Sequence, residues 1–148
     1  MKAGPREFAA VLILNDDEEL LLLKRSPEVH RWPGRWGIAG GGMEPGESPA
    51  VALRRELREE LGRDVRIRMV RGPETLKAIG GYGGCIHIWV ARWVDGNITL
   101  SEEHTEYAWV DRDVFRNLDI MPGVREDLDH FGIWRPSGTG ATRADRPL

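Results

Sequence analysis

The stretch that decides the fold is Gly40-Gly-Gly-Met-Glu-Pro-Gly-Glu-Ser-Pro-Ala-Val-Ala-Leu-Arg-Arg-Glu-Leu-Arg-Glu-Glu-Leu-Gly-Arg63, a glycine run leading into a segment rich in glutamate. Ser48 can accept a hydrogen bond from an orphan backbone N–H, and Pro49 falls at the first helical position, where its missing N–H costs nothing. Gly62 supplies the left-handed residue that ends many helices. The spacing therefore predicts a helix over Pro49 to Leu61. At about 100° per residue, Ala50, Leu53, Leu57 and Leu61 share one stripe, expected to face the core. Glu56, Glu59 and Glu60 gather to one side of it. Glu56 and Glu60, four apart, meet as like charges, at a cost to an isolated helix of about 0.2–0.5 kcal/mol. Ala52 lies on the same arc and is expected to leave room for a bound group, and the loop can bring Glu47 to the same place. Clustered carboxylates beside a glycine loop suit Mg²⁺, which takes oxygen ligands and phosphate oxygens together. The alternative is a solvated face, with Arg55–Glu59 and Glu59–Arg63 as i,i+4 pairs. The one-sided placement of the acids argues against it. So do three consecutive glycines, which are needed only where backbone approaches something closely.

The same residues resemble the Nudix box, the signature of the Nudix hydrolases: Gly, five residues, Glu, seven residues, Arg-Glu, an aliphatic, any residue, Glu-Glu, any residue, Gly, an aliphatic. Gly41, Glu47, Arg55, Glu56, Leu57, Glu59, Glu60 and Gly62 fill their places. Arg63 stands where an aliphatic is expected, and Ala39 where Pro is frequent upstream. The resemblance implies an α/β/α sandwich around a mixed curved sheet. It further implies Mg²⁺-dependent hydrolysis of a phosphoanhydride in a nucleoside diphosphate linked to another moiety: a nucleoside triphosphate, a dinucleoside polyphosphate or a nucleotide sugar. Glu56, Glu59, Glu60 and Glu47 would hold one to three Mg²⁺, with Mn²⁺ as a substitute. Arg55 would orient the catalytic glutamate, and the backbone of Gly40 and Gly41 would shape the site. A non-catalytic Nudix module that binds a nucleotide as a sensor is the alternative. The intact acid set speaks against it, since a binder has no need of the Glu56/Glu60 pair.

The chain has 148 residues, 41% hydrophobic and 30% charged, with net charge −3. One soluble domain is expected over residues 1–136, with a disordered tail at 137–148 rich in Gly, Thr, Arg and Pro. No basic footprint for nucleic acid is present, no apolar run is long enough to span a membrane, and residues 1–7 do not read as a signal region. The single Cys85 excludes an internal disulfide and fits a reducing, cytoplasmic setting. In its apolar run it reads as buried filler. Homodimers are common in the family.

Phe8 to Leu14 and Leu20 to Leu23 form a hairpin of strands without alternation, hence buried on both faces. Lys24-Arg25 follows, as a solvated strand end or, as in the family, a basic pair near substrate. In the loop Ser26 to Trp36, Trp32 and Arg35 are candidates for base stacking and phosphate pairing, and Trp36 for packing. Asp64 to Arg71 alternates as a strand that Gly72-Pro73 should break. Gly80 to Gly84 reads as a flexible turn and Cys85 to Val94 as the longest strand, with a structural His87. Asp95-Gly96 signals a hairpin with a return through Ile98 to Leu100. Ser101 to Val110 resembles a Nudix segment, Glu-His, two residues, Tyr, one residue, Trp-aliphatic. It places Glu103 as a further metal ligand or general base, with Glu106 in reserve. Asp111 caps a helix through Leu118, and Met121 to Phe131 forms the last helix.

Overall fold

The computed structural model describes residues 6–79 and 83–135. The Gly80–Gly84 turn falls partly outside them, and the tail at 137–148 entirely so. The sheet is built on β1 (Glu7–Leu14). Its Ala-Ala-Val-Leu-Ile-Leu run is buried throughout, as a strand covered on both faces requires. On one side it pairs in parallel with β6 (Cys85–Asp95) from Glu7↔Cys85 to Leu14↔Arg92. On the other it pairs antiparallel with β4 (Ala39–Gly42) and, at Leu14↔Leu20, with β2 (Leu20–Arg25). Strand β2 also carries β3 (Trp36–Gly37) and β7 (His104–Val110), while β5 (Arg66–Lys77) lies outside β6.

Alternate side chains of these strands enter two separate cores. Leu12, Leu14, Leu22, Ile88 and Val90 pack against Phe115 of α2 (Arg112–Arg116) and Val124, Leu128 and Phe131 of α3 (Val124–Phe131). Val11, Ile13, Leu21, Leu23 and Trp89 pack against Ala52, Leu53 and Leu61 of α1 (Pro49–Leu61). Helices therefore cover both faces of a mixed seven-stranded sheet, the expected three-layer α/β/α arrangement. Each fully buried leucine contributes about 1.5–3 kcal/mol of transfer free energy. No helix among the described residues is long and apolar enough to cross a membrane.

Helix α1 has the expected bounds, with Ser48 Oγ accepting from Val51 N at 3.2 Å. Its buried arc is offset from the leucine stripe. Ala50 is exposed, while Ala52, Leu53, Glu60 and Leu61 are buried. Ala52 is thus core and makes no room for a ligand. At 100° per residue the sheet-facing half turn runs Ala52, Glu56, Glu60, Leu53, Leu57, Leu61, so two carboxylates point into the arc that packs on the sheet. Gly62 has φ +89° with extended ψ rather than left-handed helical geometry. A Cβ there would lie 3.1 Å from Thr99 Cβ.

Three further expectations are corrected. Strand β5 is not broken at Gly72-Pro73: register shifts between Met69 and Arg71 and between Arg71 and Glu74 absorb the residues that cannot keep the ladder. The segment after Gly96 does not return along β6. Asn97 N and Nδ2 donate to Asp64 Oδ2 at 3.0 and 3.2 Å, and Ile98 and Leu100 pack on the α1-side core. Finally, α2 and α3 are shorter than expected, because Asn117 ends one and Gly123, at φ +97°, starts the other.

Candidate active site

The β1–β4 ladder and α1 meet at the glycines. Gly41 lies opposite Ala9 in the sheet, and a Cβ on it would sit 2.5–2.7 Å from the carboxyl atoms of Glu56. Only glycine leaves that carboxylate its place. Gly40, at φ +142°, passes so close to β1 that a Cβ would lie 2.3 Å from Ala9 O. Its N–H donates to Glu60 Oε1 at 2.8 Å. These contacts are the physical reason for the glycine run, and they bring two helix carboxylates against the strand.

Glu60 is 3% exposed. Burial pushes its carboxyl well above the ordinary range, the Gly40 N–H opposes this, and the nearby charges of Glu56 and Glu103 push further upward. Glu56 is also raised, first by burial and then, against the pull of Arg55, by Glu59 and Glu103. Glu56, Glu59, Glu60 and Glu103 therefore form one cluster of acids, in which burial and the neighbouring carboxylates outweigh the positive charge near Glu56 and Glu60.

Arg55 is bound into this cluster. Its Nε and Nη2 donate to the two oxygens of Glu47 at 2.7 and 2.9 Å, and Nη2 also reaches Gly42 O at 3.1 Å. Its Nη1 donates to Glu56 Oε2 at 3.1 Å and lies 3.5 Å from Glu59. Glu47 Oε1 also accepts from Glu44 N at 2.7 Å. Arg55, followed by the Glu44 N–H, holds the Glu47 carboxyl down to about 2. Glu47, expected as a metal ligand, thus has both oxygens occupied in fixing Arg55 and the loop.

Opposite α1, the start of β7 contributes a residue that sequence reasoning passed over. Glu60, Glu103 and His104 bring ligand-type atoms within 4.8 Å of one another. His104 is 6% exposed, and its Nδ1 has no hydrogen-bond partner among the described residues. Burial, assisted by Arg25, lowers its imidazole to about 4, so the ring is neutral near pH 7. The carboxylates of Glu56, Glu59, Glu60 and Glu103 supply the oxygen donors that Mg²⁺ takes, whereas a neutral imidazole is a ligand of zinc-class ions. The acids gathered here therefore fit the divalent metal that the family pattern implies.

The cluster borders a cleft of about 520 Å³ on the α3 side of the sheet, lined by Gly40–Gly42, Glu60, Glu103 and His104. Phe8, Ile79, Ile86 and Met121 supply apolar wall, and Arg6, Arg25 and Lys77 supply positive charge. Asp127 of α3 lines it as well. It is only 8% exposed, and burial, with a smaller push from Glu126, carries its carboxyl up to about 7.

The structure brings Glu56, Glu59, Glu60, Glu103, Arg55, Gly40 and Gly41 together and sets Arg25 in the cleft, its Nε donating to Arg31 O at 2.8 Å. Trp32 and Arg35 are not among the residues lining the cleft. The Arg35 guanidinium lies 4.9 Å over the Trp32 ring, and its Nε is 3.5 Å from Asp119, so the two are engaged with each other and with the loop before β3. Trp36 packs against the α3-side core as expected. Asp127 escaped the sequence reading, although its position between Val124, Leu128 and Phe131 on the apolar arc of α3 is a legible signal.

The NUDIX domain family matches residues 4–130. A nucleoside triphosphatase NudI from Enterobacter sp. (strain 638) is 33% identical over 132 residues, covering 82% of this chain and 93% of the relative. The nucleoside triphosphatase NudI of Escherichia coli (strain K12) is 32% identical over the same length and coverage. Among solved structures, the MutT protein from Methanosarcina mazei Go1 superposes with a TM-score of 0.64 at 25% identity, covering 88% of this chain and 94% of that one. The E. coli ORF135 protein superposes with a TM-score of 0.62 at 28% identity, covering 89% and 94%. With this match across most of its length and the glutamate cluster of α1 set against its glycine loop, the chain belongs to the Nudix hydrolases and is an enzyme of the pyrophosphohydrolase type.

Proposed function

We propose that the enzyme hydrolyses a phosphoanhydride bond of a nucleoside triphosphate with Mg²⁺. The reading rests on the desolvated carboxylates of Glu56 and Glu60, with Glu59 and the exposed Glu103 beside them, at a cleft that combines cationic and apolar lining. The substrate class is favoured by the relatives, which are named as nucleoside triphosphatases. Glu56, Glu59 and Glu60 would hold the metal, with Glu103 on the facing strand end. When bound, the ion supplies charge neutralisation at the phosphates and a bound water of lowered pKa.

The chain's own residues supply the rest. Arg25, Arg6 and Lys77 attract the phosphates, which the chain's net charge of −3 would otherwise repel. Arg55, fixed by Glu47, holds the Glu56 carboxylate in place and acts without touching substrate. Glu103 accepts the proton of the attacking water, since it is exposed at the cleft with a carboxylate oxygen within 4.8 Å of one of Glu60. The transition state spreads charge over phosphate oxygens, so positioning and neutralisation carry the catalysis. The apolar wall receives the nucleoside. The lone cysteine supports a reducing, cytoplasmic setting.

The test is a panel of nucleoside triphosphates, dinucleoside polyphosphates and nucleotide sugars with Mg²⁺, following pyrophosphate and phosphate release. Turnover of one or more nucleoside triphosphates with pyrophosphate as product is expected. If nothing is turned over while one nucleotide raises the melting temperature, the protein is a nucleotide-binding sensor.

A further inference from the structure

On the sheet face away from the cleft, at the end where β1 and β6 begin, a second group of donor atoms converges. The parallel register places Glu7 beside Cys85 and Ala9 beside His87. Alternation turns Glu7, Cys85 and His87 to the α1-side face, while their neighbours Phe8 and Ile86 line the cleft. His87 Nε2 lies 2.7 Å from Glu7 Oε1 and 3.8 Å from Cys85 Sγ, and the sulfur is 4.0 Å from the same oxygen. The other ring nitrogen, Nδ1, is 2.9 Å from Thr75 Oγ1 on β5.

We infer that Glu7, Cys85 and His87 form a binding site for a single zinc-class divalent metal ion, separate from the catalytic acids. Three observations support it. The first is the donor set: thiolate, imidazole and carboxylate are ligands that late first-row metals select, and not a set Mg²⁺ prefers. A thiolate and a carboxylate also balance the double positive charge. The second is size. Zinc bond lengths of about 2.0–2.3 Å in a tetrahedron set the donors about 3.4–3.6 Å apart. The observed triangle of 2.7, 3.8 and 4.0 Å reaches that shape through shifts of about 0.2–0.7 Å in its edges. The third is the Thr75 hydroxyl. It fixes the ring plane through Nδ1 and leaves Nε2 directed at the other two donors, the orienting contact metal-bound histidines use.

A cysteine nucleophile with a His–Glu pair does not fit the geometry. That arrangement needs thiol and carboxylate on opposite ring nitrogens, whereas here both lie at Nε2. On binding, the Cys85 thiol proton leaves to solvent, and the imidazole proton moves from Nε2 to Nδ1, where Thr75 Oγ1 accepts it. Sγ, Nε2 and Oε1 bond the ion, which keeps one position for water. Glu7 is half exposed, so the site is open to solvent. The ion would join β1 to β6 at the strand ends.

The test uses Co²⁺ added to chelator-treated full-length protein. Cys85 is the chain's single cysteine, so a thiolate-to-cobalt charge-transfer band in the near ultraviolet reports this site and no other; the catalytic glutamates give none. The expected result is a band saturating at one equivalent and displaced by Zn²⁺. Affinity should fall at least about 10-fold in Glu7→Gln and in His87→Gln, and by roughly 10–100-fold in Thr75→Val, with far-ultraviolet circular dichroism unchanged. Absence of the band in the wild-type protein overturns the site. So does a band of undiminished affinity in both Glu7→Gln and His87→Gln, which would leave only a solitary thiol capturing cobalt.

Discussion

Substituting Gly41 by Ala separates the site from the fold. The added methyl falls 2.5 Å from Glu56 Cδ and 2.6–2.7 Å from its oxygens, closer than real contacts allow. The backbone at Gly41 itself lies outside the left-handed region. What must move is the far end of one flexible side chain, so the cost in stability should stay within ~1 kcal/mol, or about 2–4 °C in Tm for a chain of this size. The carboxylate, however, is displaced from Arg55 Nη1 and from the acid cluster. A misplaced charge-bearing group of this kind costs roughly 10²–10³ in kcat. Gly40→Ala is the contrast. Its Cβ would strike Ala9 O at 2.3 Å and Ala10 Cα at 2.5 Å, at φ +142°. Backbone must yield, and a loss of about 3 kcal/mol or more is expected. Thermal denaturation and pyrophosphate release, measured on both variants, decide the matter. Full activity in Gly41→Ala, or equal destabilisation of the two, would refute the assignment of Gly41 as the glycine that seats Glu56.

Glu60→Gln should lower kcat/KM by at least about 10²-fold while Tm holds or rises, since an amide still accepts from Gly40 N without the cost of a buried charge; a large fall in Tm would show the carboxylate to be structural. Glu47→Gln should lower kcat by roughly 10–100-fold with little change in KM, because Glu47 acts through Arg55; a change in KM alone would place it against substrate. Asp127→Asn should be near neutral for stability at pH 4 and stabilising at pH 8. The folded-state carboxyl titrates near 7 against an ordinary 3.8, so its contribution is fully present below about pH 4 and lost as pH rises through 7. The upper limit is ~4 kcal/mol, reduced by residual solvent contact. An equal Tm shift at both pH values would contradict the burial argument.

Much of this was legible in the residues. Ser48, Pro49 and Gly62 bound α1 because caps are local chemistry, and the unalternating runs of β1 and β2 announced a sheet covered on both faces. The acids of the box were legible because their spacing is fixed by one helix. What sequence could not show was which side of that helix the sheet occupies. A hydrophobic stripe alone put Glu60 beside the core, whereas the packed arc includes it, since Gly40 N–H supplies the partner that lets a carboxyl be buried. The pairing of Glu47 with Arg55 was not legible for a related reason: which partner a loop carboxylate meets depends on the loop's path. The pairing of β7 with β2, which sets Glu103 and His104 opposite α1, is a long-range contact that no local signal announces. Trp32 and Arg35, close to the site in sequence, stack on each other outside the cleft lining, an arrangement that depends on the loop's fold rather than on local pattern.

The central claim is that the α1 carboxylates grip a divalent ion. Electron paramagnetic resonance of free Mn²⁺, titrated with protein in the presence of a non-hydrolysable nucleoside triphosphate analogue, tests it most directly. The wild-type protein should deplete the free Mn²⁺ signal, and the Glu56→Gln/Glu60→Gln double variant should leave it nearly intact. Equal depletion by both proteins would contradict the account.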